Sequence, residues 1–288
     1  MGSYFLGIGA QKGGTSWLYR CLDLHPDIWL PPVKELHFFN ERMRSGSERL
    51  PPRLATRRAR VELRELVAHL LHRRDPAALG WALRYFLPHR DIAWYRSVLR
   101  HRSRPLTGEI TPAYATLSDA EVAAIAHELP GVRAILLLRN PLERTYSHAV
   151  MDLTRGGRKA STLRTDELIA HVHSRGSLAR TAYVETIDRW QRYLGASRLF
   201  VGFYDEIAER PVRLLRRVCR FLEVQELDWA RLAPVERRVN ATRRGRPPAE
   251  LHQVLAALYR GEIEALARRY GSYAARWLAA LPPDVPSP

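Results

Sequence analysis

The chain carries only two cysteines among its 288 residues. Cys21 and Cys219 each lie in an apolar helical pattern, so reduced core thiols are expected, with neither a disulfide framework nor a cysteine-built zinc site. No apolar run approaches the roughly 20 residues that a membrane-spanning helix requires. The first residues lack the charged n-region and small-residue cleavage site of a secretion signal. Met1-Gly2-Ser3-Tyr4-Phe5-Leu6 also misses the myristoylation pattern, because Leu6 is neither Ser nor Thr. A cytoplasmic protein without a membrane span is therefore expected. No internal repeat or low-complexity tract is present, and no recognition helix, zinc finger or aromatic RNA platform stands out. The formal net charge of +16 would favour any polyanion. However, arginine is spread along the whole chain beyond the local clusters Arg57-Arg58-Ala59-Arg60 and Arg243-Arg244-Gly245-Arg246, so charge alone names no partner and nucleic acid is not expected. With 46% hydrophobic residues, a chain of this length can bury one large core, and a single domain over 1–288 is the expectation.

What the chain does have begins at Phe5. Phe5-Leu6-Gly7-Ile8-Gly9 is an apolar run, Ala10-Gln11-Lys12-Gly13-Gly14 a glycine-rich turn with one lysine, and Thr15-Ser16-Trp17-Leu18 the start of an amphipathic helix with Leu18, Cys21, Leu22 and Leu24 on its inner face. Glycines let backbone amides converge on an anion, and the following helix presents free N–H groups and its positive dipole end to the same oxygens. A Walker A loop places lysine directly after its last glycine. Here Thr15 occupies that place and Lys12 lies inside the loop, where an ammonium would sit beside the bridging oxygen of a bound phospho-anhydride. A second constellation is Arg133-Ala134-Ile135-Leu136-Leu137-Leu138-Arg139-Asn140-Pro141, a buried parallel strand feeding a helix with Pro141 at its start. ATP enzymes usually close such a strand with an aspartate that helps hold Mg²⁺. This one closes with Arg139, a planar cation suited to phosphate, with Ser147 further along the helix as a second donor.

On these residues the chain resembles the sulfotransferases that use 3′-phosphoadenosine 5′-phosphosulfate (PAPS), in particular a bacterial branch related to the heparan-sulfate type. Gln11-Lys12-Gly13-Gly14-Thr15-Ser16-Trp17 is similar to the family's 5′-phosphosulfate loop. Leu138-Arg139-Asn140-Pro141 with Arg144 and Ser147 is similar to its 3′-phosphate motif. Lys34-Glu35-Leu36-His37-Phe38-Phe39-Asn40 resembles its E-x-H-F-F segment, and Gly108-Glu109-Ile110-Thr111-Pro112-Ala113-Tyr114 its E-K-T-P-A-Y segment. The resemblance implies PAPS as donor and the bisphosphate PAP as product, with no metal required and a small-molecule or carbohydrate hydroxyl as acceptor. It implies Glu35 as base, Lys12 as leaving-group stabiliser and His37 as a substrate-positioning or auxiliary acid/base residue. It further implies donor contacts from Lys12, Gly13, Gly14, Thr15, Ser16, Trp17, Arg139 and Ser147, and from a basic closing loop at Arg243, Arg244, Gly245 and Arg246. Trp17 is either an adenine-stacking ring or a core residue. Glu109 is either a second carboxylate of the cleft, orienting the acceptor or His37, or a strand-end residue facing water. Ile110 stands where some family members have lysine, which removes a cation expected near the sulfonate. A Mg²⁺-dependent P-loop phosphotransferase and a non-catalytic nucleic-acid-binding protein are the competing classes.

The order of elements predicts an α/β fold: a P-loop-like parallel sheet with helices on both faces. Strands are expected from Tyr4, near Leu106, from Arg133 and over Arg198–Phe203. Helices are expected from Ser16, Ser118, Pro141, over Arg180–Tyr193, and from Glu206 and Ala249, with an extended segment near Glu35. A helical insertion over about 41–99 shows a stripe of Val61, Leu63, Leu66, Val67, Leu70 and Leu71 and the aromatics Trp81, Tyr85, Phe86, Trp94 and Tyr95, and is expected to form the acceptor-side wall. Ligands belong at the carboxyl ends of the strands, where the glycine loop and Arg139 both fall.

Overall fold

The computed structural model describes residues 3–73, 77–101, 103–232 and 247–283. Strands β1 (Ser3–Gly9), β2 (Ile28–Trp29), β3 (Leu106–Ile110), β4 (Arg133–Leu138) and β5 (Leu199–Phe203) form one sheet in the order β2-β3-β1-β4-β5, and every pairing is parallel. The helices are α1 (Thr15–Leu22), α2 (Phe38–Ser45), α3 (Ala59–Arg73), α4 (Ala77–Phe86), α5 (Ile92–Leu99), α6 (Asp119–Glu128), α7 (Pro141–Leu153), α8 (Thr165–Val172), α9 (Arg175–Ala179), α10 (Tyr183–Leu194), α11 (Tyr204–Glu209), α12 (Pro211–Leu222), α13 (Ala249–Tyr270) and α14 (Ser272–Ala279). This is the P-loop-like α/β architecture that the alternation of elements predicts.

The period of two along each strand sorts the core into two layers. Leu6 and Ile8 of β1 with Ala134, Leu136 and Leu138 of β4 face a large cluster built on α2–α8, α10, α13 and α14. Phe5, Ile135, Leu137 and Phe200 face a smaller one under α1 and α12. Burial on both faces explains why these strands read as unbroken apolar runs. Because β1 is central and the chain winds first toward β3 and then toward β4, the carboxyl end of β1 is the topological switch point, the place where such sheets bind ligands.

Several boundaries differ from the sequence reading. Helix α1 ends at Leu22, so Leu24 lies past its end and is 38% exposed instead of facing inward. The segment at Arg180 is split: α9 ends at Ala179, and α10 begins at Tyr183. At Glu206 the helix begins earlier, at Tyr204, and Pro211 starts a separate helix because it cannot continue the previous one.

The helices between Glu35 and β3 also depart from the expected wall. Trp81, Tyr85, Phe86, Trp94 and Tyr95 are all buried and packed on one another and on Phe38, with Trp81 and Tyr85 stacked at 4.6 Å and Phe38 and Tyr95 at 5.0 Å. They extend the core and present no aromatic face to an acceptor. The α3 stripe divides as well: Leu66 is buried, whereas Val61 and Val67 are more than half exposed and Leu63 is partly so.

Candidate active site

The glycine loop folds back on the end of β4. The Ala10 amide donates to the Leu137 carbonyl and the Gly13 amide to the Ala10 carbonyl, both at 2.9 Å. A Cβ on Gly13 would stand 2.5 Å from the Leu137 oxygen and 2.9 Å from that of Ala10. Gly14 has φ +90°, and a Cβ there would meet Ile207 Cδ1 at 2.3 Å. Only glycine tolerates these approaches. Thr15 opens α1, so helical geometry leaves the first-turn amides of Thr15 and Ser16 without intrahelical partners and turns the positive dipole end to the loop. Lys12 sits in the left-handed region at φ 70°, its Nζ 3.9 Å from Met151 Sδ of α7.

Arg139 joins the two halves of this edge. Its Nη1 donates to the Lys12 carbonyl at 3.2 Å, and its Nε and Nη2 reach Glu143 Oε2 at 3.2 and 2.9 Å. Its guanidinium lies 4.6 Å from the centre of the Tyr204 ring, and its own carbonyl accepts from the Tyr183 hydroxyl at 3.0 Å. Ser147 lies nearly buried on α7. Arg144 is fully buried, donating to Thr145 Oγ1 at 2.9 Å and to the Ser177 carbonyl at 3.3 Å, so Arg139 is the motif's partly exposed cation. Directly after Ser147 comes His148, whose Nε2 and the Nε2 of His171 on α8 stand 3.2 and 3.3 Å from Asp152 Oδ2, which sequence reading did not bring together. Burial and the nearby Arg144 push His148 down to about 3, so its ring is held neutral beside the carboxylate.

Glu35 and His37 lie in the tight connection between β2 and α2, not in an extended segment. Both have left-handed backbones, φ 66° and 55°. That conformation brings Glu35 Oε2 to 3.2 Å from His37 Nε2 and Oε1 to 2.8 Å from Lys34 Nζ. Burial pushes the Glu35 carboxyl up, but the His37 hydrogen bond and the Lys34 ammonium outweigh it and hold the group down at about 2. Lys34 thus supplies a cation beside Glu35 that the sequence reading quoted but gave no role. Ile110 does not reach Glu35: it is 1% exposed and packs in the smaller core layer over Gly7.

Two expectations find a definite place. Glu109 does not face water. It is 2% exposed and accepts from the Leu36 amide. Trp17 is 2% exposed within the cluster under α1, so the core reading describes its ring. Trp17→Phe should accordingly lower Tm by a few degrees in a thermal melt, yet leave affinity for adenosine 3′,5′-bisphosphate unchanged within about twofold. A loss of affinity without loss of stability would restore the stacking role. The loop Arg243, Arg244, Gly245 and Arg246 lies outside the described residues.

A glycine cradle at the switch point of a parallel sheet, followed by a helix N-terminus and flanked by lysine and arginine, defines the P-loop-like α/β class. Within that class, residues 5–229 match the family model described as "Sulfotransferase family". The chain belongs to the sulfotransferase family and is an enzyme, a transferase. Heparan sulfate glucosamine 3-O-sulfotransferase 6 of Homo sapiens is 27% identical over 192 residues, covering 63% of this chain and 55% of the relative. Heparan sulfate glucosamine 3-O-sulfotransferase 5 of Homo sapiens is 22% identical over 225 residues, covering 75% and 52%. The chain spans about half the length of these relatives. Among solved structures, a sulfotransferase from Alicyclobacillus acidocaldarius shares the fold with a TM-score of 0.62 at 24% identity, over 95% of this chain and 97% of that one. The sulfotransferase domain of the Synechococcus PCC 7002 olefin synthase shares it at 0.53 and 18%, over 86% and 84%.

Proposed function

We propose that the protein transfers a sulfuryl group from PAPS to a hydroxyl of a carbohydrate acceptor. The observation that carries the donor assignment is the junction of the two anion-binding halves, Arg139 Nη1 on the Lys12 carbonyl at 3.2 Å. It sets a guanidinium beside the glycine cradle, where ATP enzymes usually place a metal-binding carboxylate. The residues fit the donor. Gly13 and Gly14 let the loop fold closely against the end of β4 and against Ile207, Thr15 and Ser16 offer first-turn amides, and Lys12 and Arg139 add charge. The names of the relatives, which specify glucosamine of heparan sulfate, support a sugar hydroxyl.

PAPS, when bound, supplies the sulfuryl group and departs as PAP. Glu35, ionised and only partly exposed, takes the proton of the attacking hydroxyl as the new oxygen–sulfur bond forms. Lys12 stabilises the negative charge that collects on the bridging oxygen as its bond to sulfur breaks. His37 and Lys34 hold the Glu35 carboxylate in place, one at each oxygen.

The test is calorimetric titration with adenosine 3′,5′-bisphosphate and, in parallel, ADP, both without magnesium. Preference for the bisphosphate is expected, and Arg139→Ala should weaken it about 10–100-fold, the value of a charge-assisted phosphate contact or two. Equal binding of both nucleotides, or binding that requires Mg²⁺ and ignores the 3′-phosphate, overturns the assignment in favour of a phosphotransferase. Binding to nucleic acid that falls steeply with salt, with no nucleotide binding, would point to the third class.

A further inference from the structure

The Glu35 connection is held by groups that are themselves buried. Glu35 and His37 both adopt left-handed backbones, a conformation that non-glycine residues keep only when their surroundings impose it. Leu36, between them, has its side chain fully buried and both of its backbone polar groups tied to buried side chains, those of Glu109 and Arg53. Its amide donates to Glu109 Oε2 at 3.0 Å, and its carbonyl accepts from Arg53 Nη2 at 2.6 Å.

Each anchor is itself fully committed. Glu109 Oε2 also accepts from the Thr111 hydroxyl at 2.6 Å, and Oε1 accepts from the hydroxyls of Tyr95 and Tyr114, both at 2.6 Å. Four donors therefore converge on one carboxylate at the end of β3, which explains how a carboxylate tolerates near-complete burial. Burial and the carboxylate itself keep both phenols well above their ordinary range, so they stay protonated donors. Arg53, 0% exposed, places Nε 2.9 Å from the Tyr85 hydroxyl and 2.8 Å from Glu62 Oε2, and Nη1 2.7 Å from Glu41 Oε1. Arg90 shares Glu41 at 2.6 Å. Helices α2–α4 and Arg90 thus hold the Leu36 carbonyl through Arg53, while β3, with Tyr95 of α5 and Tyr114, holds the Leu36 amide through Glu109.

We infer that Glu109 and Arg53 are positioning residues that clamp the Leu36 peptide and so set Glu35 and His37 for proton abstraction. This rests on the reading of Glu35 as base. It gives the 41–99 region a role other than that of an acceptor wall: it braces the catalytic connection. A carboxylate is required at 109 because an amide cannot accept from all four donors, and the Leu36 N–H, unlike the hydroxyls, cannot reverse its polarity.

The experiment compares Glu109→Gln and Glu109→Asp with the parent protein at a temperature well below every Tm, measuring kcat and its pH profile, bisphosphate affinity by calorimetry, and hydrogen exchange over residues 34–38. A displacement of the base on the ångström scale costs about 10²-fold. Both variants should lose kcat to about that extent, with bisphosphate affinity unchanged within about twofold and faster exchange in this segment. The acid limb of the kcat profile should also move upward as Glu35 parts from His37 and Lys34. Should Glu109→Gln fail to fold, Glu109→Asp keeps the charge but withdraws it by one methylene and still reports. Folded variants with lowered Tm but parental kcat, pH profile and exchange would overturn the clamp and leave Glu109 a structural residue. Activity unaffected by Glu35→Gln would instead bring down the assignment of the base.

Discussion

Glu35→Gln is expected to abolish nearly all turnover, lowering kcat by about 10²–10⁴-fold, the usual value of a positioned general base. The substitution keeps the size and planarity of the group and removes only its capacity to take a proton. Bisphosphate binding should survive, since the glycine loop is held by β1 and β4 and shares no hydrogen bond with Glu35 among the described residues. The pH profile provides the check. With the carboxyl held at about 2, Glu35 is ionised throughout the range in which most proteins stay folded, so its protonation produces no acid limb above about pH 3. The direction follows from the sign: a depressed pKa keeps the base available as pH falls, and availability is lost only on passing through the folded value. Weakening the His37 contact removes one of the interactions that depress it, and the limb should then climb toward the ordinary carboxylate value of 4.5. An acid limb near that value in the parent protein would mean that the Glu35–His37–Lys34 arrangement does not operate during turnover.

Gly13→Ala should be nearly as damaging, for a different reason. The added methyl would lie 2.5 Å from one backbone carbonyl and 2.9 Å from another, and neither can swing aside as a flexible side-chain tip can. Either the loop lifts from the end of β4 or the strand end yields. Overpacking of this kind costs about 1–3 kcal/mol, and a loop displaced by that much should weaken bisphosphate affinity about 100-fold. Calorimetry and a thermal melt on the same sample separate the two outcomes. Parental affinity in the folded variant would show that the loop has slack which the carbonyl distances deny.

The glycine loop and the two central strands were legible in the sequence, whereas the role expected of Glu35 came only through the resemblance of its segment to a family motif. Paired glycines beside a lysine, after an apolar run and before a helix, leave little room for another reading, and β1 and β4 stand out because burial on both faces removes polar alternation. Other features were hidden for physical reasons. Strand β2 has two residues, too few for any periodicity. The aromatics of α4 and α5 carry the same signal whether they line a cleft or fill a core, and here they fill it. A buried arginine looks in sequence like the many surface arginines of a basic chain, so Arg53 carried no mark. The Leu36 clamp was invisible because one partner in each bond is a backbone group, and the side chains involved lie 73 and 17 positions away. Lys34 could have been found: a lysine directly before a suspected base is a cation at a fixed short reach.

The smaller core layer offers one more consequence, in the chemistry of thiols. Cys21 of α1 and Cys219 of α12 are both free and both buried on the same side of the sheet, the side whose first helix issues from the glycine loop. Burial pushes their thiols up to about 12 and about 11, so neither holds a reactive thiolate while that layer is closed. The chain has no other cysteine. Alkylating reagents can therefore label its thiols only when α1 or α12 lifts away, which gives the protein a pair of native reporters for the opening of the layer beneath its glycine loop.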